Sequence, residues 1–421
     1  MSHHVLKTLS AKKQPMITSN CQLCNASHFE TIIDLGYHPL ADTFLSPSEL
    51  NHEEITYPLR VLLCMECGYT TLHYIVDPIT RYQKTDYSYT SSNSPIALKH
   101  FNDMARQCIE TVGIGKDDMV VDIGSNVGTL LDAFRQQSGC RIMGVEPSGN
   151  ISKLAAENNI PTINDFFGTS AVDTILNQSQ AKVITATNVF NHITDLPQFM
   201  GHIARLLTDD GQFVFETPYL LHLFNQTAFD TIYLEHVSYF GVKPFAPFFE
   251  RFGLSINHLE ENDYMGGSIR VFVGKKPAQS NVVTSYIERE EATGIYQPHQ
   301  YIEFMKKINT LKFSLNKSLY AIRSRGEKIM AIGAATKGNT LLNFCQLDQS
   351  IITFVADTSP LKIGKVTPGS HIPIRSEEDI TPDITYAVIL PWNIGNFLKE
   401  KLKHLNVKFI IPSWEQTSYD T

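Results

Sequence analysis

The 421-residue sequence has no run of about eighteen apolar residues, so no membrane-spanning helix and no membrane partner are expected. No apolar signal region follows the opening Met1-Ser2-His3-His4, and a cytoplasmic location is expected. A long basic run is also missing. Acidic residues exceed basic ones, 43 to 35, for a formal charge of -8. Nucleic acid demands a positive face, so it is not the expected partner. The seven cysteines are odd in number and accompany no export signal, which fits reduced thiols better than a disulfide framework. No internal repeat or low-complexity tract is present, so a repeat array is excluded.

What the chain does have is 43% hydrophobic residues, enough core for two or three domains. It also has a glycine-rich stretch over residues 120–130. An apolar run ending in Asp122 reads as a buried strand, Gly124 and Gly128 give a tight turn, and a helical pattern starts at Thr129. Glycine there lets a ligand approach backbone amides at a helix N-terminus. A second strand, 141–145, ends in Glu146, whose carboxylate can hold a ribose diol. The spacing Asp122-x-Gly124-x-Asn126-x-Gly128 lacks G-x-G-x-x-G, which argues against NAD. It resembles motif I of class I S-adenosylmethionine-dependent methyltransferases. That resemblance implies a donor site of Asp122, Gly124, Asn126, Gly128 and Glu146, with Asp165 and Phe166 beside the adenine. Asn188 then closes the fourth strand, 184–189.

Cys21-x-x-Cys24 and Cys64-x-x-Cys67 are two knuckles about forty residues apart. Two thiolates from each complete a tetrahedral site, so a structural Zn²⁺ is expected on Cys21, Cys24, Cys64 and Cys67. Neither pair sits in a βαβ pattern, which disfavours redox chemistry. The module has few Lys and Arg residues, and RNA binding by it is the weaker reading.

Residues 81–95 are polar and rich in hydroxyls, including Tyr87, Tyr89 and Ser91. By composition they form a linker, or a segment closing over a polar substrate. His192 follows the fourth strand, where parallel sheets present ligands. Further on, Tyr233-x-Glu235-His236 packs a phenol, a carboxylate and an imidazole together; histidine suits proton abstraction near neutral pH, although such clusters also occur as structural networks.

The cysteine pairs, Tyr87-x-Tyr89-x-Ser91-Ser92, the glycine loop, Tyr233-x-Glu235-His236 and Gly266-Gly267-Ser268-Ile269-Arg270 occur in one order along nearly the whole chain. Together they resemble the deoxysugar C-methyltransferase family, which methylates a ring carbon of nucleotide-activated keto-sugars. The resemblance implies an α/β architecture. A small N-terminal four-cysteine zinc-binding domain (15–80) would precede a class I methyltransferase Rossmann-like central domain (81–280) and a second Rossmann-like, nucleotide-sugar-binding domain (281–421). It also implies S-adenosylmethionine as donor and a nucleotide-diphosphate keto-sugar as substrate, with Tyr233, Glu235 and His236 catalytic; His192 joins them as a candidate through its place after the fourth strand.

In the C-terminal half, Tyr301, Phe304, Ile308, Leu311 and Leu315 fall at helical spacing and read as core. After the strand 328–332, residues 333–343 approach a Walker A loop, but Asn339 stands where its lysine must be, which argues against ATP hydrolysis. A glycine turn entering a helix can still hold a phosphate through backbone amides. Lys337, Asn339, Lys365 and His371, with Tyr87, Tyr89, Ser91 and Arg270, are the substrate-binding candidates. In the family this sequence resembles, an aromatic residue commonly stands at the position of Val366. The expected reaction is C-methylation, at C-3, of a 4-keto-deoxysugar through an enolate. O-methylation of a small metabolite and a non-catalytic zinc-containing donor- or RNA-binding protein are the alternatives; the oligomeric state is left open.

Overall fold

The structure, a computed structural model, describes residues 16–83, 87–88, 90–92, 95–276 and 281–415. At its centre lies a seven-stranded sheet in the order Ser255–Asn262, Ser268–Gly274, Leu207–Pro218, Ala181–Thr187, Met119–Ile123, Arg141–Val145, Thr162–Ile163. The last five are parallel, and a hairpin closes one edge antiparallel. Parallel strands covered on both faces are nearly continuous apolar runs, and all five residues of Met119–Ile123 are buried, Asp122 being the one polar side chain among them. On one face the helix Pro95–Val112 buries Ala97, Phe101, Met104, Ala105 and Cys108, a single helical stripe. Under the other, Phe190 and Phe215 stack at 4.3 Å, with Phe213, Phe240, Phe245 and Phe249 around them. Each such ring contributes about 1.5–3 kcal/mol on burial.

Two smaller sheets flank this core. The N-terminal one is antiparallel, ordered Ser238–Tyr239, Thr70–Leu72, Tyr57–Cys64, Phe29–His38. Its first strand comes from far down the chain, immediately after the Tyr233–His236 cluster. The C-terminal sheet is parallel, ordered Ile374–Ser376, Val355–Asp357, Lys328–Ile332, Ile384–Ile389, Lys408–Ile410. The helix Gln300–Ser324 backs it and buries Tyr301, Phe304, Ile308, Leu311 and Leu315, as their spacing predicts. No helix among the described residues is long and apolar enough to cross a membrane.

Glu290, fully buried, ties the connecting helix Val282–Thr293 to the central sheet. Its carboxylate accepts from Tyr219 Oη (2.8 Å), Tyr296 Oη (2.6 Å) and the amides of Val242 (2.7 Å) and Lys243 (3.0 Å). The two amides open the helix Val242–Glu250, so the carboxylate also meets that helix's positive end. Glu290→Ala strands four donors and is expected to cost about 3–5 kcal/mol. Urea unfolding of the variant checks this; a loss below about 1 kcal/mol would contradict it.

Candidate active site

A cavity of about 1260 Å³ runs from the carboxyl end of the central sheet to the carboxyl end of the C-terminal sheet. At the central end, Gly124 takes φ +63°, and Val189 Cγ2 lies 2.5 Å from the position a Cβ would occupy there. Gly128, at φ +83°, meets Ile160 in the same way and starts the helix Thr129–Ser138. Glu146 is held by the Ser148 amide on Oε1 (2.8 Å) and the Asn126 amide on Oε2 (3.1 Å). Asp122, Gly124, Asn126, Glu146, Phe166 and Asn188 line this end. Asp165 and Gly128 are not among the lining residues: Asp165 turns its carboxylate to the Phe166 amide (2.8 Å). Ser91 lines the same end, its amide on Asn126 Oδ1 (2.9 Å) and its hydroxyl against Thr129 Oγ1 (2.8 Å).

Burial pushes the Asp122 carboxyl up to about 7; the Thr185 hydroxyl (2.7 Å) pulls it down and the Glu146 charge adds to the rise. Burial raises Glu146 too. Because folding raises the Asp122 pKa, its contribution to ligand-free stability is full below about 4 and is lost as pH climbs through about 7. Asp122→Asn removes this dependence. Relative to that variant, the native chain should lose up to about 4 kcal/mol between pH 4 and 8. Parallel denaturant midpoints for the two proteins across that range would sink the assignment.

The middle of the cavity carries the phenol, carboxylate and imidazoles. Tyr233 and His236 rings lie 3.8 Å apart, and His236 and His192 rings 4.9 Å apart, nearly perpendicular. His236 Nδ1 sits 2.8 Å from the Thr231 carbonyl, which can only accept. Burial drives His236 down to about 3, the Thr231 carbonyl opposes this, and Arg81 adds to the fall. His192 is held well below its ordinary value by burial, then by His236 and Arg81. Both rings are therefore neutral at neutral pH. Burial raises Glu235 to about 7; its oxygens accept from the amides of Asp42 (2.9 Å) and Ala41 (3.3 Å), in the N-terminal module. Tyr87 lines the cavity beside Tyr82, while Tyr89 lies outside the described residues.

At the far end the C-terminal sheet repeats the central arrangement. Gly333, at φ +81°, follows the first strand, and Asp357 ends the second. Asp357 accepts from the amides of Ala334 (2.6 Å) and Ser359 (2.7 Å), as Glu146 does from Asn126 and Ser148. Lys337 reaches Asn393 Oδ1 and lies 4.9 Å over the Trp392 ring; Lys362 Nζ donates to Ala334 O (2.7 Å). Asp42 joins the three parts, its Oδ1 accepting from Ser88 (3.1 Å) and Thr336 (2.8 Å). Sequence reasoning gave no role to Asp42, Tyr82, Asp357 or Lys362. Asp357 had a legible signal, an acid ending the strand after a glycine turn.

Four substrate candidates are not brought to the cavity. Arg270 is 5% exposed in the central sheet, bonded to Glu216 (2.8 Å), Glu260 (2.7 Å) and Gln107 (2.5 Å). Three acceptors leave its guanidinium no reach to a ligand. Asn339 is buried with its amide on the Ala41 carbonyl (2.6 Å), and His371 meets Glu54 (2.6 Å); both dock the C-terminal part on the N-terminal module. Lys365 flanks Val366, which pairs with Leu45 in the same interface.

The four cysteine sulfurs lie within 4.8 Å of one another, with Cys21–Cys67 and Cys24–Cys64 both at 3.6 Å. A tetrahedron with Zn–S about 2.3 Å spaces thiolates about 3.8 Å apart, so the residues fit zinc. Gly68, at φ +85°, turns the second knuckle. All four ligands come from the chain, which leaves a structural and not a catalytic ion.

The chain matches three families in succession: a zinc binding domain over residues 21–82, a methyltransferase domain over 99–259 and a C-methyltransferase C-terminal domain over 263–412. It is similar to the C-methyltransferase NovU of Streptomyces niveus, 31% identical across 93% of this chain and 94% of that protein. A ubiquinone biosynthesis O-methyltransferase of Bradyrhizobium is 28% identical over 23% of this chain and 39% of its own length. Among solved structures, an S-adenosylmethionine-dependent methyltransferase of Clostridium acetobutylicum aligns with TM-score 0.34, at 12% identity, over 42% of this chain and 91% of that one.

Proposed function

The chain is an S-adenosylmethionine-dependent C-methyltransferase of the deoxysugar C-methyltransferase family, and from that premise we propose that it methylates a ring carbon, C-3, of a nucleotide-activated 4-keto-deoxysugar through an enolate. The observation that supports this most directly is the single cavity joining two nucleotide-type cradles, Gly124 with Glu146 and Gly333 with Asp357, across an imidazole pair. One cradle suits the donor and the other a nucleotide substrate, so the two reactants would meet at His192 and His236.

Carbon beside a ketone is acidic enough to lose a proton when the enolate oxygen is stabilised. His236, with Nδ1–H given to Thr231, has Nε2 free to take that proton. Tyr233 packs against its ring and Glu235 fixes its segment to Asp42. His192 would donate to the developing oxyanion. Bound S-adenosylmethionine supplies an electrophilic methyl carbon; Glu146 would hold the donor's ribose and the amides of the Gly124 turn its remainder. Lys337 and Lys362 would face the diphosphate, and residues 281–421 would bind the nucleotide. The reaction is assigned to the cytoplasm, where thiolate zinc ligands stay reduced.

Deuterium wash-in from D₂O, followed by mass spectrometry, tests the reading. A nucleotide-4-keto-deoxysugar should exchange one ring hydrogen without donor and gain one methyl with it. Methylation of a hydroxyl with no exchange would replace this reading by O-methylation.

A further inference from the structure

The helix Pro78–Tyr82, at the exit of the zinc-bearing module, ends in Arg81, which bonds the backbone of both imidazole-bearing segments, and Tyr82, which bonds the His192 ring. We propose that Tyr82 and Arg81 are positioning residues: Tyr82 makes His192 an Nε2–H donor, opposite to His236, whose Thr231 partner leaves it an Nε2 acceptor, and Arg81 fixes where the two rings stand. The assignment of catalytic duties to those rings rests on the function proposed above; the tautomers themselves do not.

The partners of the two Nδ1 atoms decide where each ring carries its hydrogen. His236 Nδ1 faces the Thr231 carbonyl at 2.8 Å. A carbonyl has no hydrogen to give, so this Nδ1 bears the proton and Nε2 keeps its lone pair. His192 Nδ1 faces instead the Tyr82 hydroxyl at 2.6 Å. Burial lifts the Tyr82 phenol above its ordinary value, so it keeps its proton. Nδ1 of His192 is the one acceptor recorded for that hydroxyl among the described residues. The carbonyls of Glu235 and Asn188 also bear on this ring; with Tyr82 donating, the neutral ring accepts at Nδ1 and carries its hydrogen on Nε2. Two histidines of the same cavity are thus sorted into an acceptor and a donor by the different partners on their far sides. A reaction that removes a proton and stabilises an oxyanion needs one of each.

Arg81 fixes where the two rings stand. Its Nη1 donates to the Glu235 carbonyl (3.0 Å) and its Nη2 to the His192 carbonyl (3.3 Å). Those carbonyls belong to segments 43 residues apart in sequence, and one planar fork spans both. Arg81 is 5% exposed, and its guanidinium lies 5.3 Å from the Tyr82 ring centroid. Lysine could supply the charge but not two donors in one plane.

Long-range ¹H–¹⁵N spectra of the zinc-loaded, full-length protein labelled at histidine read the tautomers directly, with His192→Gln and His236→Gln for assignment. His192 is expected as Nε2–H and His236 as Nδ1–H. In Tyr82→Phe, His192 should shift toward a tautomer mixture with His236 and the backbone amide spectrum unchanged. Turnover should fall about 10- to 100-fold with substrate KM little altered. Arg81→Lys should keep both tautomers and lose about 10-fold in kcat. Finding His192 as Nδ1–H in the unaltered protein, or unmoved in Tyr82→Phe, overturns the role of Tyr82. Full activity in Arg81→Lys overturns that of Arg81. Because the spectra need no substrate, the expected tautomers without turnover of any keto-sugar would count against the proposed reaction and leave the polarity standing.

Discussion

His236→Ala is expected to lower methyl transfer by about 10³-fold while S-adenosylmethionine binding stays within about twofold of the unaltered protein. The size follows from the role. A positioned base contributes about 10²–10⁴ to proton transfer, and nothing nearby stands ready to replace it. Glu235 is engaged by two backbone amides, and His192 by Tyr82. The insensitivity of donor binding follows from place, since Gly124 and Glu146 sit at the end of the central parallel sheet, whose strands continue without the segment 233–236. Calorimetric titration with S-adenosylmethionine and a single-turnover methylation assay separate the two effects. Deuterium wash-in should fall with methylation, because both need the proton removed. Loss of methylation with wash-in intact would assign His236 to a later step, and unaltered turnover would remove it from the chemistry.

The donor end was legible because its chemistry is local. A strand ending in Asp122, a turn that only glycine accommodates at φ +63°, and an acid ending the next strand all lie within 25 residues. The cysteine knuckles are legible for the same reason, as each pair supplies half a tetrahedron by itself. Contacts across long separations leave no such trace. Glu235 stands out in sequence only as the carboxylate of the Tyr233-x-Glu235-His236 cluster, and nothing there shows that it holds the amides of Ala41 and Asp42, 194 and 193 residues away. Arg81 and Tyr82 stand in a stretch that composition marks as a linker, and only the fold brings them 154 and 110 residues onward to Glu235 and His192. Arg270 shows the converse. Residue type suits it to a phosphate, but a buried guanidinium takes whatever carboxylates the sheet provides, here Glu216 and Glu260. Lysine and histidine on loops are equally ambiguous in sequence, and His371 meets an acid of the neighbouring module, not a ligand.

Removing the zinc is expected to abolish methylation, by more than about 100-fold, with S-adenosylmethionine affinity changed much less. Structural zinc in small modules supplies about 10–16 kcal/mol of what is in effect folding energy. Without the ion, four thiols crowded within 4.8 Å hold their loops poorly; the Cys21–Cys67 contact already pulls Cys21 down to about 5 and pushes Cys67 up. The consequence reaches the proposed chemistry because the segment 233–236 leads directly into the zinc-bearing sheet. Ser238–Tyr239 pairs with Thr70–Leu72, the Val237 carbonyl accepts from the Leu72 amide (2.8 Å) and Thr71 Oγ1 (2.9 Å), and Glu235 is held by Ala41 and Asp42. The knuckles also dock on the central domain, through Gln22 to the Leu196 amide (2.8 Å) and Arg251 to the Leu23 carbonyl. Loosening this module frees both sides of His236 while the parallel sheet and its glycine loop stay folded. Chelator-treated protein and Cys64→Ser should show the same separation of activity from donor affinity. Stoichiometric Zn²⁺ should restore the chelator-treated protein but not the variant. Equal loss of both functions would mean that the central domain depends on the module for its own fold. Full methylation by metal-free protein would mean that the pairing of Ser238–Tyr239 survives on its hydrogen bonds alone.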